Sequence, residues 1–222
     1  MVITEAKLPK NLIERTAEEV TVDRFLLMFL ISTANKIRSL WGKTKLEKLV
    51  YCSQYGMMKT RIKGFNYYFY RWHFGPYSEQ VYEDLAAFSE CGFVAHKVES
   101  GEIAVTPKGL RILHQFDDVI NDNAAICAII RETAEDYKEY SADKIKEAIY
   151  ETLVFGSKKT YVRDVDMGDP LLHKLPKEEA KTVFKIESGK VETLWILFAP
   201  KFYEQILRAR ADRVVLPYTP LK

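Results

Sequence analysis

The chain is poor in the features that most directly announce chemistry. It has three cysteines, Cys52, Cys91 and Cys127, widely spaced and without a CxxC pair. That excludes a zinc knuckle and a thioredoxin-like redox site, and leaves thiols suited to a reducing compartment. The four histidines, His73, His96, His114 and His173, show no HxxxH or HExxH spacing, so no metal site is expected. There is no GxSxG, GxGxxG or P-loop sequence, and 10 glycines in 222 residues are few for a chain that cradles phosphates. No cofactor and no catalytic residue are expected, and the residues read as those of a binding protein rather than an enzyme. His73, in RWHFGPY, reads as a hydrogen-bonded strut rather than a general base.

An excess of charge of either sign is also lacking. With 33 Lys+Arg against 31 Asp+Glu the net charge is +2, which excludes a basic nucleic-acid coat and an acidic disordered tail. The longest apolar run, Phe25–Ile31, falls well short of the ~20 residues that span a bilayer. Met1–Asn11 carries charges without a long apolar stretch. A cytoplasmic protein with no membrane partner is the expectation.

Aromatic side chains, at 13% of the chain, are the conspicuous surplus. Phe65, Tyr67, Tyr68, Phe69, Tyr70, Trp72, Phe74 and Tyr77 crowd into one short segment. In a strand, Phe65, Tyr67 and Phe69 face one way, and Tyr68, Tyr70, Trp72 and Phe74 the other. Such a strand is either covered on both faces or leaves an aromatic face for a partner. Tyr and Trp suit the second use because they join apolar area to a polar handle.

Charge is local as well. Lys36, Arg38, Lys43, Lys45, Lys48, Lys59, Arg61 and Lys63 precede the aromatic segment with Glu47 as the one acid among them. Glu79, Glu83, Asp84 and Glu90 follow it with no Lys or Arg before Ala95.

Hydrophobic periodicity orders these segments. VDRFLLMFLISTANKI from Val22 predicts a central, well-covered helix. Thr44 and Glu47 fit a capping box, opening a helix with Leu46, Leu49, Val50, Ser53 and Met57 on its apolar stripe. Lys45, Lys48, Tyr51 and Tyr55 lie off that stripe. Lys63-Gly64 reads as a turn, the aromatic segment as a strand, and Gly75-Pro76 as its stop. Ser78 suits the N-cap of the next helix, with Val81, Leu85, Ala86 and Phe88 inward and Gly92 after its end. A short hairpin around Glu99-Ser100-Gly101 and a helix capped by Thr106-Pro107 follow.

This succession predicts an α+β, mostly helical fold with a winged-helix-like core over residues 21–120 and an N-terminal arm over 1–20. Residues 121–222 form an extension packed on that core. It has helices over Ala124–Tyr140 and Ser141–Val154, a β-hairpin around Glu187-Ser188-Gly189, and a last helix in KFYEQILRARA.

A winged helix suggests DNA, and a DNA-binding transcriptional regulator is the alternative function. The helix before the wing would enter the groove, but here it carries four acids and no base, which a duplex repels. Nucleic acid is thus a less favoured partner than protein.

KTKLEKLVYCSQYG followed by YYFYRWHFGPYSEQVYEDL resembles the Panacea domain, the SocA-like antitoxin family, which has phage-associated members. Lys45, Leu46, Lys48, Leu49 and Tyr51 match its first block; Tyr70, Trp72, Gly75 and Pro76 match its second. Thr44–Val50 and Phe74–Ser78 also resemble uncharacterised YwgA-like proteins. The likeness covers about half the chain, residues 22–115, with Phe74 where the family usually has Tyr. It implies a protein-interaction module that neutralises or presents a partner protein, such as a toxin. The contact surface would comprise Lys45, Lys48, Tyr51, Tyr70, Trp72, His73, Gly75 and Pro76. Trp72 and Tyr70 would anchor it, Lys45 and Lys48 would supply charge, and Gly75-Pro76 would fix the strand-to-helix turn. The oligomeric state stays open, a dimer being one alternative.

Overall fold

A computed structural model describes residues 13–97 and 99–199 of the chain. Most of the expected arm and the helix expected over 201–211 lie outside the described residues.

The run that is apolar on nearly every side becomes the central helix. α1 spans Ala17–Ile37, and every side chain from Phe25 to Ser32 is buried. It begins ahead of the apolar run because Thr16 and Glu19 cap it reciprocally. Thr16 Oγ1 accepts the Glu19 N–H at 3.2 Å, and Glu19 Oε2 accepts the Thr16 N–H at 3.0 Å.

The capping box expected at Thr44 and Glu47 does not form. α2 (Lys43–Lys59) starts on Gly42, held at a φ of 83°, and Glu47 turns inward to other partners. The expected apolar stripe of α2 is buried throughout, and so are Lys48 and Tyr51 on its other side. The helix is covered from two directions, which its sequence pattern alone does not show. After it the chain turns at Thr60-Arg61, Arg61 taking a φ of 58°, and Ile62–Lys63 form β2, so Lys63-Gly64 is not the turn.

Two short strands frame the next part. β3 (Phe69–Trp72) and β4 (Gly75–Tyr77) make an antiparallel hairpin. α3 (Glu79–Glu90) follows, ending at Gly92 with a φ of 69° as expected. Its inward residues are Val81, Asp84, Leu85, Ala87 and Phe88; Ala86, expected inward, is exposed. β5 (Val94–His96) and β6 (Glu102–Val105) form the expected hairpin, and β1 (Leu40–Trp41) joins it in the order β1-β6-β5. α4 (Pro107–Gln115) has its predicted cap, Thr106 Oγ1 accepting the Gly109 N–H at 3.2 Å with Pro107 at the first position.

The later half adds α5 (Asp117–Asp122), α6 (Ala124–Asp136) and α7 (Ala142–Tyr150). β7 (Pro170–Leu172) extends the hairpin sheet to the order β4-β3-β7. The hairpin expected around Glu187–Gly189 is absent. β8 (Thr182–Val183) pairs in parallel with β2, and Ser188–Phe198 is a helix, α8. Val191, Leu194, Trp195 and Phe198 recur at helical spacing, and Leu194 and Phe198 are fully buried. That period outweighs the β preference of Val, Thr and Trp.

The fold is therefore α+β and mostly helical, with three small sheets among the described residues. One buried cluster joins Phe25–Ile31 of α1 to Ile126, Cys127 and Ile130 of α6 and to Leu194 and Phe198 of α8. Among the described residues no helix is long and apolar enough to cross a membrane.

Candidate functional site

The aromatic segment divides into a buried and a more exposed set, the second of the two arrangements open to it. Phe65, Tyr67 and Phe69 are buried, and Phe69 meets Tyr51 edge-on with ring centroids 5.3 Å apart. On the other side Tyr70 is half-buried, while Trp72 is 41% and Phe74 64% exposed.

Only part of the segment is a strand. Phe65–Tyr68 is irregular, and side-chain amides stand in for strand partners. Gln54 donates to the Tyr67 carbonyl at 2.7 Å and accepts the Tyr67 N–H at 3.1 Å, while Gln80 accepts the Tyr68 N–H at 3.0 Å. The backbone is thereby satisfied without a neighbouring strand.

Gly75-Pro76 does not end the strand segment. The turn is His73-Phe74, and Gly75 and Pro76 begin the return strand, paired with Trp72 and Arg71. Gly75 sits at a φ of 93°, a conformation that favours glycine. Pro76 is tolerated because β4 is an edge strand, where a missing N–H breaks no ladder. The strand-to-helix turn falls at Ser78 instead.

Under this hairpin lies a buried ion pair. Lys48, 1% exposed, donates to Glu47 Oε2 at 2.8 Å and to the Pro76 carbonyl. Glu47 Oε1 accepts the Ser78 N–H at 2.9 Å, and the Tyr82 hydroxyl bonds to Glu47 as well. Burial pushes the Glu47 carboxyl up and the Lys48 ammonium down, so desolvation outweighs their mutual attraction. This pair fixes the hairpin to α2 and α3.

A cleft of about 180 Å³ opens beside it, lined by Thr44, Glu47, Lys48, Trp72, Phe74, Gly75, Tyr77 and Tyr82. Its aromatic wall is continuous. Tyr77 stacks on Tyr82 at 5.4 Å, meets Tyr70 at 5.4 Å, and lies 6.5 Å from Trp72.

The expected contact residues thus fall into three places. Tyr70, Trp72 and His73 lie on the outer side of the hairpin, where the His73 ring packs 4.9 Å from Trp72. Lys48 and Tyr51 are buried beneath it, and Gly75 and Pro76 are buried within its return strand. Lys45 is elsewhere: its ammonium donates to the Lys138 carbonyl at 3.1 Å, in a crevice with Arg38 and Tyr137. The basic segment is therefore not one charged face. Lys63 is also buried, held by Glu19 at 3.0 Å, Asn66 at 2.7 Å and the Leu175 carbonyl at 2.8 Å, and Arg38 pairs with Glu139.

The acidic helix is likewise only partly acidic at its surface. Asp84 is fully buried between Arg15, at 2.7 Å, and Arg24, at 2.7 Å, and accepts the Tyr67 hydroxyl at 3.0 Å. Glu79, Glu83 and Glu90 face outward. Sequence reasoning missed Glu47, Phe74, Tyr77 and Tyr82 of the cleft, and the buried Gln54 and Asp84. Glu47 and Asp84 carried one faint signal, each lying on a helix within reach of the apolar stripe.

Among the described residues no group of three His, Cys, Asp or Glu side chains converges as metal ligands would. Compared with known proteins, the chain matches no family model, no curated protein and no solved structure.

Proposed function

We propose that the chain is a protein-interaction module, antitoxin-like, that holds a partner protein through the β3–β4 hairpin. One observation carries this reading: Trp72 and Phe74 stand 41% and 64% exposed on a hairpin whose base is locked by buried hydrogen bonds. A large aromatic side chain held in place in solvent loses little conformational entropy when a partner covers it. The motif likeness adds a toxin as the class of partner. The scaffold is read as winged-helix-like from the succession α3, β5–β6 hairpin, α4, which follows α1, β1, α2 and the intervening strands β2, β3 and β4.

Insertion of α3 into a DNA groove is less well supported, because the outward residues of that helix include Glu79, Glu83 and Glu90.

Affinity capture from the native cell tests the proposal. The wild-type chain should retain a specific protein that a folded Trp72→Ser/Phe74→Ser variant releases. Equal capture by both would move the contact surface away from the hairpin.

A further inference from the structure

The cleft beside the hairpin combines two properties that together specify a guest. Its outer walls are four aromatic side chains, Trp72, Phe74, Tyr77 and Tyr82. Glu47 at its base is offset by Lys48, so the unbalanced charge nearby is that of Glu79 and Glu83, which stand exposed on α3 on either side of Tyr82 in sequence. The Tyr70, Tyr77 and Tyr82 hydroxyls are all pushed up, first by burial and then by neighbouring carboxylates: Glu79 and Glu47 for Tyr70; Glu79, Glu47 and Glu83 for Tyr77; Glu47 for Tyr82.

Three cations around the hairpin are already engaged. Lys48 is spent on Glu47 and Pro76, and Lys146, whose chain lies behind Gly75, pairs with Asp143 at 3.1 Å. Arg71 lies over the Tyr150 ring at 4.7 Å.

We infer that this cleft receives an arginine side chain from an extended basic segment of the partner protein. The inference rests on the proposed interaction role of the hairpin and specifies the chemistry of its partner. An aromatic wall attracts a cation through the negative faces of its rings, and a planar guanidinium also stacks on them. At about 180 Å³ the space suits one long side chain rather than a helix or a folded surface. Glu79 and Glu83, exposed on α3 and near enough to Tyr77 to raise its hydroxyl, favour further basic residues in the same segment. The expected charge complementarity is thus the reverse of a lysine-rich face meeting an acidic partner.

Selection of random displayed peptides on the full-length chain tests this, with counter-selection on the Trp72→Ser/Phe74→Ser variant. Arginine should be enriched at one fixed position with basic neighbours. A synthetic peptide from that pool should bind about tenfold more tightly than its citrulline counterpart, which keeps shape and loses charge. The surface variant Glu79→Gln/Glu83→Gln, which leaves the buried residues untouched, should weaken the arginine peptide severalfold and flatten its salt dependence. Enrichment of apolar or acidic peptides, or equal binding of arginine and citrulline, overturns the cation reading and leaves the hairpin an interaction surface. Recovery of no hairpin-dependent peptide overturns both.

Discussion

Glu47 Oε1 accepts the backbone N–H of Ser78 at 2.9 Å, joining the second turn of α2 to the residue that opens α3. Its second oxygen takes the Lys48 ammonium at 2.8 Å, and both side chains are essentially removed from solvent, at 2% and 1% exposure. Removing one partner strands the other. Glu47→Leu should cost ~3–5 kcal/mol of stability, because the Lys48 charge is left buried with only a carbonyl. Lys48→Met should cost a similar amount. The double variant should cost markedly less than the two singles combined, by ~1–3 kcal/mol. Urea unfolding of the four proteins measures that coupling; simple additivity would show that the pair does not act as a unit.

Asp23 makes stability depend on pH. It is fully buried, accepting the Asn66 N–H at 2.7 Å and an Arg15 N–H at 3.0 Å, and burial raises its carboxyl from 3.8 to about 7. The unfolded chain releases this proton near its ordinary value, and the folded chain keeps it to about 7. Between the two values the folded state binds more protons, so this group's contribution falls as pH rises, by up to ~1.4 kcal/mol per unit. It is complete below the unfolded value and lost through the folded one. Asp23→Asn keeps an acceptor for Asn66 and removes the titration. Denaturation midpoints taken from about pH 5 to about pH 8 should slope less in that variant than in the wild type.

These two carboxylates mark where the sequence stops being informative. α1 was legible because nearly every residue from Val22 is apolar, a pattern that only a covered helix accommodates. The α4 start was legible because Thr106-Pro107 is a local signal, complete within one turn. The aromatic segment was legible as dense and two-sided, but not which side stays open, since part of it is irregular and Phe74 lies in the turn. Asp84, by contrast, reads as one acid of a charged helix, and its partner Arg15 lies 69 positions away. Lys48 reads as one base in a basic run, and the Pro76 carbonyl that holds it is 28 positions on. Charge runs are usually solvated faces, so long-range pairing inverts the ordinary inference. Gly75-Pro76 is opaque in the sequence for a similar reason. Proline is a strand breaker except at an edge, and which strand is an edge is a property of the assembled sheet. α8 was read as a hairpin because β-forming residues flank Ser188-Gly189, although its apolar spacing was helical.

Two glycines separate backbone freedom from space. Gly109, in α4, has no room: a Cβ there would run into the Phe93 carbonyl oxygen and come within 2.7 Å of Val105 Cγ1. Neither neighbour can yield without moving the helix off the β5–β6 hairpin. Gly109→Ala should therefore cost ~2 kcal/mol or more despite alanine's helix preference. Gly189, in the first turn of α8, meets nothing within 4 Å. Gly189→Ala should stabilise the protein by ~0.5–1 kcal/mol through the entropy of the unfolded chain. Opposite shifts of the thermal midpoint are the result to look for; a gain at Gly109 would contradict the packing of α4.

The exposed hairpin should separate stability from binding. Phe74 is 64% exposed, so Phe74→Ala should change stability by no more than ~0.5 kcal/mol. Trp72 touches Tyr70 at 6.0 Å and His73 at 4.9 Å, and its loss should cost ~1 kcal/mol. Against a captured partner, each should weaken binding by ~2 kcal/mol or more, a loss of about thirtyfold in affinity. Trp41 supplies the control. It is 50% exposed, but it lies on β1 in the other three-stranded sheet, paired with Glu102. If exposed aromatic area in general were what the partner recognised, Trp41→Ala would weaken binding as much as Trp72→Ala. If the hairpin is the surface, Trp41→Ala should leave affinity unchanged, and titration of the three variants decides between the two.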